Sequence, residues 1–179
     1  MTPSRTTTDQ VNVQPACRIG HGYDLHRLEV LAPQGAGRPF ILGGVRLEHT
    51  HGPVAHSDGD ALYHAVTDAV LGALGLPDIG QLFPDTDPRH ESQDSRVFIE
   101  EAARLARERG YVVSNLDVTV ILERPKLSPV KERVRGNVAA ALAVGVERVN
   151  IKGKTHEKVD AVGEGRAIEV HAVVLLARE

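Results

Sequence analysis

The sequence predicts an α+β fold, a ferredoxin-like β-α-β sandwich with helices on one side of a mixed sheet. Two observations indicate it. Apolar residues recur at strand and helix spacing in two successive strand, helix, strand units, and Gly and Pro separate the segments. Right-handed crossovers between such strands leave few other topologies. A length of 179 residues suits one domain with one core, which we place at residues 17–179.

The first strand is predicted at Cys17–Tyr23, where the apolar pattern runs up to a polar pair. A second extended segment is predicted at 40–48. It is interrupted by Gly43 and Gly44, which favour a bulge or a hairpin arm.

The first helix is expected to begin at about Asp58, because Ser57 followed by Asp60 is a variant of the capping box. Gly75 and the proline after Leu76 should stop it at about Leu76. The acidic segment that follows, at 78–88, contains two prolines and is expected to be a loop.

The second half of the chain supplies the remaining strands and two further helices. The predicted segments are a helix capped by Asp94-Ser95 through about Arg109, a strand at Tyr111–Leu122, a helix from Ser128-Pro129 to Gly145, and strands at Arg148–Lys154 and Ala167–Ala177. The first of these helices should turn Val97, Phe98, Ala102 and Leu105 inward, and the alternation of Leu116, Val118, Val120 and Leu122 predicts one buried face for the strand at 111–122.

Residues 1–16 are polar, contain Pro15 and lack an apolar signal core, so we expect a disordered leader. A short transit peptide is the alternative interpretation. No apolar run approaches the roughly 20 residues of a membrane-spanning helix. The single cysteine, Cys17, excludes an internal disulfide and fits a reducing compartment. We therefore expect a cytoplasmic protein that does not enter a membrane.

The charge pattern argues against a nucleic-acid partner. The net charge is −3, Lys and Arg are scattered, and the chain has three Phe, three Tyr and no Trp. It therefore lacks both a basic stripe and aromatic platforms on which bases could stack.

Two clusters of polar residues suggest a metal site. Asp24 and His26 are two apart on a strand, so their side chains share one side with Cα atoms roughly 7 Å apart. His64 is expected on the polar helix face, together with Asp60, Thr67 and Asp68, opposite the apolar stripe. One carboxylate and two imidazoles with an open fourth position suit a catalytic Zn²⁺. In the alternative interpretation, Asp60, His64 and Asp68 are only a solvated helix face.

The predicted helix start also suggests an anion site. Free backbone N–H groups near Ser57, at the positive end of the helix dipole, would lie beside His56.

Several motifs together, in this order over about residues 18–176, resemble one enzyme family, the 2-C-methyl-D-erythritol 2,4-cyclodiphosphate synthases. The motifs are Arg18-Ile19-Gly20-His21-Gly22-Tyr23-Asp24-Leu25-His26, Ala55-His56-Ser57-Asp58-Gly59-Asp60, Asp78-Ile79-Gly80, Leu82-Phe83-Pro84-Asp85-Thr86-Asp87-Pro88, Pro125-Lys126 and Asn150-Ile151-Lys152.

The resemblance implies cyclisation of 4-diphosphocytidyl-2-C-methyl-D-erythritol 2-phosphate with release of CMP, in the non-mevalonate isoprenoid pathway. It implies a homotrimer with an active site at each subunit boundary. His56 and Thr155 would be the catalytic residues, Asp24, His26 and His64 would hold Zn²⁺, and Glu157 would hold Mg²⁺ or Mn²⁺. The implied substrate-binding residues are Asp24, His26, His56, Ser57, Asp78, Ile79, Gly80, Phe83, Pro84, Asp85, Thr86, Asp87, Leu122, Glu123, Arg124, Pro125, Lys126, Leu127, Ser128, Lys154, Thr155, His156 and Glu157.

The chain departs from the family pattern near its end. Ala161 stands where an aromatic residue is common, Gly163-Glu164-Gly165-Arg166 where Gly-Arg-Gly-Glu is common, and His171 where an acid can occur. In the family this region meets the trimer axis and a cavity that takes isoprenoid diphosphates.

Two other functions fit the same residues. A zinc phosphohydrolase would use the open metal position for a nucleophilic water and would consume that water. A non-catalytic metal or nucleotide-binding trimer would bind a cytidine diphosphate without turning it over.

Overall fold

A mixed sheet with helices packed on one face forms the framework of the molecule. The computed structural model describes residues 14–84, 86–87 and 91–179. Within them the main sheet has five strands in the order β4-β1-β7-β5-β6. The strands are β1 (Cys17–Val30), β2 (Ile41–Leu42), β3 (Val45–Arg46), β4 (His51–Pro53), β5 (Tyr111–Ile121), β6 (Val149–Lys154) and β7 (Ala167–Arg178). The helices are α1 (Ala61–Leu74), α2 (Ile79–Leu82), α3 (Arg96–Glu108), α4 (Lys131–Leu142) and α5 (Asp160–Gly163).

The order of the strands confirms the predicted α+β fold. From β1 the chain passes through α1 and α3 to β5, and β7 is inserted antiparallel between β1 and β5. This first unit is therefore a split β-α-β unit, as in ferredoxin-like folds. The second unit, β5-α4-β6, pairs its two strands directly and in parallel.

Helix α1 lies unusually close to β1 because two glycines face it. A Cβ at Gly20 would lie 1.9 Å from the carbonyl oxygen of Ala69, and a Cβ at Gly22 would lie 1.8 Å from that of Ala65. Any side chain at these positions would push the helix off the strand. The glycines therefore fix the distance between the helix and the strand.

The start of α1 differs from the prediction. Asp60, not Ser57, is the N-cap, and its carboxylate accepts hydrogen bonds from the backbone N–H groups of Leu62 and Tyr63. Ser57 instead accepts a hydrogen bond from the Gly59 N–H, in the turn before the helix. The capping-box prediction was wrong because Asp60 is wholly buried and already holds the helix start.

The predicted polar face of α1 is also largely wrong. Asp60 and Thr67 are buried, and the Thr67 hydroxyl donates to the Tyr63 carbonyl one turn earlier. The helix is central, since the sheet covers one side and α3 packs on it from another. A helix buried over most of its surface carries only a weak amphipathic signal. Its predicted stop at Gly75 is confirmed, with Gly75 left-handed at φ 68°.

Strand β1 is longer than predicted and runs to Val30. It pairs with β7 as far as Arg27, and its last residues, Leu28 to Val30, pair with β4. Asp24 and His26 therefore lie within the strand rather than at its end. Pairing partners that are distant in sequence set this length, and local alternation does not reveal them.

Three other segments differ from the prediction at their ends. The segment at 78–88 contains the short helix α2, capped by Asp78, whose carboxylate accepts from the Gln81 N–H. Helix α4 begins at Lys131 rather than at Ser128, because residues 128–130 form a turn. Gly43 and Gly44, both with positive φ, form the turn of the β2–β3 hairpin.

The sheet face opposite the helices carries exposed apolar side chains. Ile19 is 72% exposed, and Tyr23, Leu25 and Val173 are exposed beside it on β1 and β7. We call this surface the open face. No helix in the described part of the chain is both long and apolar enough to span a membrane.

Candidate active site

Three side chains from two elements converge below one cavity. Asp24 and His26 project from the helix-facing side of β1, and His64 projects towards them from the second turn of α1. The Asp24 Oδ2 atom lies 3.0 Å from His26 Nδ1 and 3.1 Å from His64 Nδ1. These three residues form the only group of potential metal ligands within 4.8 Å of one another in the described residues. The three-ligand set expected from the sequence thus comes together.

The geometry of the three atoms suits a cation. His26 Nδ1 is buried and has no hydrogen-bond partner among the described residues, although it faces the Asp24 carboxylate. An orphaned buried nitrogen is costly unless something binds it. A divalent ion between the two imidazoles and the carboxylate would satisfy all three.

The electrostatics of the cluster keep Asp24 ionised. Burial by itself raises the pKa of Asp24, but the close contacts with the imidazoles of His26 and His64 and their charge outweigh it and lower this pKa to about 2. Burial likewise lowers the pKa of His64, yet the hydrogen bond to Asp24 and the surrounding carboxylates raise it overall. The site therefore favours positive charge beside a carboxylate.

A cavity of about 240 Å³ opens above this cluster; we call it the metal-side cavity. It is lined by Asp24, His26, Ala55, His56, Ser57, His64, Ile79, Gly80, Phe83 and Phe98. Phe83 and Phe98 pack against each other with ring centroids 4.6 Å apart and form its apolar side.

A second cavity, of about 340 Å³, lies at the ends of β5 and β6. We call it the Lys126 cavity, and it shares no residue with the metal-side cavity. It is lined by Val120, Leu122, Glu123, Arg124, Lys126, Leu127, Ser128, Gly153, Lys154 and Thr155. Two lysines and one arginine make it suitable for phosphate groups.

Several expected site residues line neither cavity. They are Asp78, Pro84, Thr86, Asp87, Pro125, His156 and Glu157. Asp85 lies outside the described residues. Asp78 caps α2, and Glu157 is exposed in a left-handed conformation, where its carboxylate accepts a 3.2 Å hydrogen bond from the Thr155 hydroxyl. Glu157 does not belong to the cluster of three potential ligands.

The anion site expected at the helix N-terminus stays a prediction, but four of the backbone N–H groups at this end of α1 are not available to it. The N–H groups of Leu62 and Tyr63 donate to Asp60, and those of Asp58 and Gly59 donate to Gln93 O and Ser57 Oγ. These donors are already used within the protein.

Three residues near the site were not expected from the sequence. Phe98 was assigned to the core of α3, and Ser95 was assigned to its cap. Asp58 had no assigned role beyond the helix start. In the structure the Ser95 hydroxyl forms hydrogen bonds with both Asp58 and His64. The density of acids around His56 was the available signal, but the distance of 37 residues between Asp58 and Ser95 hid their contact.

Known proteins resemble the chain over most of its length. The model of the YgbB family matches residues 17–177. A chloroplastic 2-C-methyl-D-erythritol 2,4-cyclodiphosphate synthase of Oryza sativa is 56% identical over 90% of this chain and 70% of its own length. The synthase of Pseudomonas aeruginosa strain UCBPP-PA14 is 48% identical over 89% of this chain and 98% of its own.

Solved structures agree in fold. IspF of Plasmodium falciparum in a CDP complex superposes with a TM-score of 0.80 at 36% identity, covering 93% of this chain and 99% of that one. A 2C-methyl-D-erythritol-2,4-cyclodiphosphate synthase in its CDP-bound form gives 0.79 at 42% identity, covering 89% and 99%.

Proposed function

The chain belongs to the YgbB family, and from this membership we infer that it is a 2-C-methyl-D-erythritol 2,4-cyclodiphosphate synthase. It is a lyase of the non-mevalonate isoprenoid pathway. It converts 4-diphosphocytidyl-2-C-methyl-D-erythritol 2-phosphate to 2-C-methyl-D-erythritol 2,4-cyclodiphosphate and CMP. The observation within the structure that best supports this function is the convergence of Asp24, His26 and His64 at the metal-side cavity.

The reaction needs no protein nucleophile. An oxygen of the substrate's 2-phosphate attacks its own β-phosphorus, a new P–O bond closes the ring, and the bond to the CMP oxygen breaks. The protein must hold the two phosphoryl groups in line and balance their charge. A site without a catalytic serine or cysteine is sufficient for such a step.

We propose that Asp24, His26 and His64 hold Zn²⁺, since imidazole and carboxylate ligands with an open position suit that ion. We assign a second divalent cation, Mg²⁺ or Mn²⁺, to Glu157, whose exposed carboxylate lies beside Thr155. Both ions would supply Lewis-acid polarisation of phosphoryl oxygens.

We propose that His56 and Thr155 support the reacting phosphates as hydrogen-bond donors. His56 lines the metal-side cavity and Thr155 the Lys126 cavity. Ile79, Gly80 and Phe83 would contact the methylerythritol side. The segment from Leu122 to Ser128 would hold cytosine and diphosphate, with Lys126 and Lys154 opposite the phosphate charge.

We propose a homotrimer in which each site combines the metal-side cavity of one copy with the Lys126 cavity of the next. The two cavities share no residue within one chain, yet the substrate needs both a metal centre and a basic phosphate pocket. The exposed apolar residues of the open face give the copies a surface to bury against one another.

We further propose that residues 17–179 form one catalytic domain, and that the enzyme works in the cytoplasm on a small-molecule substrate, without a nucleic-acid or membrane partner. The scattered charge and the single cysteine support this proposal. Of the leader expected at residues 1–16, residues 1–13 lie outside the described residues.

Phosphorus NMR of the products tests the function. The purified chain with Zn²⁺ and Mg²⁺ should convert the synthesised substrate to a cyclic diphosphate and CMP in equal amounts. A zinc phosphohydrolase would give a linear phosphate instead. A binding module would leave the substrate unchanged, and either result would overturn the proposed function.

A further inference from the structure

The imidazole of His64 contacts different groups through its two nitrogens. Nδ1 faces the Asp24 carboxylate, in the cluster proposed to hold zinc. Nε2 points away from that cluster and lies 2.8 Å from the Ser95 hydroxyl oxygen. The Ser57 hydroxyl oxygen also lies near Nε2, at 3.1 Å.

The direction of the hydrogen bonds follows from Asp58. The Ser95 hydroxyl donates its only hydrogen to Asp58 Oδ1, 2.5 Å away, because an ionised carboxylate can only accept. Its oxygen can therefore offer only lone pairs to His64. His64 Nε2 lies 2.8 Å from this oxygen. If Nε2 carried no hydrogen, two lone pairs would face each other at this distance. Nε2 therefore carries a hydrogen and donates it to the Ser95 hydroxyl oxygen.

With Nε2 donating to Ser95, Nδ1 is the ring nitrogen that can bind an ion, through the lone pair that it would expose on giving up its hydrogen bond to Asp24. Nitrogen binds a metal through that lone pair, and the tautomer is set by the hydrogen bond at the other ring nitrogen.

Asp58 and Ser95 are themselves held firmly. Ser95 is fully buried, and its backbone N–H donates to Asp58 Oδ2 at 3.1 Å. The Asp58 carboxylate also accepts from the Asp60 N–H, and the Asp58 N–H donates to the Gln93 carbonyl. The pair thus connects the loop before α1, the start of α3 and the ring of His64.

The Ser95 hydroxyl is not needed to cap α3. Although Ser95 occupies the N-cap position, its side chain makes no capping hydrogen bond. Asp94 accepts from the Arg96 N–H at 2.8 Å and serves that end of the helix. Loss of the Ser95 hydroxyl should therefore act on His64 more than on the helix.

We propose that Asp58 and Ser95 are positioning residues that hold His64 in the Nε2–H tautomer, with Nδ1 directed at the ion, and thereby set the zinc affinity of the site. The inference rests on the proposed zinc site. Outer hydrogen-bond partners of metal-bound histidines typically change metal affinity by about 10- to 100-fold.

Zinc affinity of the full-length protein tests the proposal. The chain is stripped with a chelator and titrated with ZnCl₂ against a chromophoric competitor, and Co²⁺ absorption reports the ligand geometry. Ser95→Ala and Asp58→Ala should each weaken zinc binding by about 10- to 100-fold and change the Co²⁺ spectrum. The double variant should be little weaker than either single variant, because both act through one hydrogen-bonded chain.

Asp94→Ala is the matched control, since it removes a cap at the same helix end without touching His64. It should lower the melting temperature of the apoprotein but keep the wild-type zinc affinity. If Ser95→Ala and Asp58→Asn, a second variant less disruptive to folding, both bind zinc within about threefold of wild type, the positioning role is wrong. If His64→Ala alone loses zinc, the proposed zinc site still stands and only the positioning role falls. If the wild-type chain binds no zinc, both the zinc site and the positioning role are wrong.

Discussion

At the scale of single residues, the carboxylate of Asp60 joins two parts of the fold that are distant in sequence. Its oxygens accept hydrogen bonds from the backbone N–H groups of Gly43 and Gly44 in the hairpin turn, and of Leu62 and Tyr63 in α1. The residue is wholly buried, so none of these donors would find water easily if the carboxylate were removed.

Asp60→Ala should therefore destabilise the protein by about 3 kcal/mol or more, because several buried donors lose their acceptor. Urea unfolding followed by circular dichroism measures this change. The control is Glu108→Gln, an exposed change on α3 that should stay within about 0.5 kcal/mol of wild type. Equal unfolding midpoints for the two variants would contradict the role given to Asp60.

A second residue-scale prediction concerns His56, which is exposed at the edge of the metal-side cavity. If it donates mainly to the charge that develops on the phosphoryl oxygens, His56→Ala should lower kcat by about 10²- to 10³-fold. KM should change much less. Rescue of the variant by added imidazole would show instead that His56 transfers a proton.

At the scale of elements, the packing of α1 on β1 sets the distance between His64 and Asp24. Gly22 allows this packing, because a Cβ there would meet the backbone of Ala65 at 1.8 Å. Ala65 directly follows His64. A shift of the helix at this point would move the imidazole away from the strand that carries Asp24 and His26.

Gly22→Ala should thus destabilise the fold by about 1–3 kcal/mol and weaken zinc binding as well. Gly136→Ala is its control, since Gly136 lies in α4 with open space around its Cβ position. That change should stabilise the protein by up to about 1 kcal/mol through helix propensity. Thermal unfolding and zinc titration of both variants check the prediction, and a Gly22→Ala protein as stable as wild type would refute it.

The elements also show which features are readable from sequence. Alternation in Leu116, Val118 and Val120 marked the buried face of β5 correctly, because a strand with one covered face repeats every two residues. Local rules also placed Asp24 and His26 on one side of β1, and the ligand chemistry of one carboxylate and two imidazoles, rather than any local pattern, suggested that His64 joins them. Local rules failed where residues distant in sequence determine burial or contact. Val97 was expected inside but is 45% exposed. The contact between Asp58 and Ser95 joins residues 37 positions apart.

At the scale of the whole molecule, the proposed trimer would bury the exposed apolar side chains of the open face. We expect Ile19→Asp to shift the proposed trimer towards monomers and reduce activity, because the change would place a charge at the proposed subunit contact. The single chain should still fold, since Ile19 is 72% exposed in it. Val146→Asp, at an exposed apolar residue outside the open face, should leave the mass by light scattering unchanged. A wild-type chain with the mass of a monomer would exclude the trimer outright.

The most direct test of the shared active site is complementation between two inactive variants. His64→Ala removes the metal side of a site, and Lys126→Ala removes the basic side. Each variant alone should be inactive. When the two chains are co-expressed in equal amounts and assemble at random, about one quarter of the sites should combine two intact halves. We therefore predict about one quarter of the wild-type kcat per site in the whole co-expressed protein, and about one third in purified mixed trimers, each of which has one intact site of three. No recovery in the mixed trimers would contradict a site built from two copies.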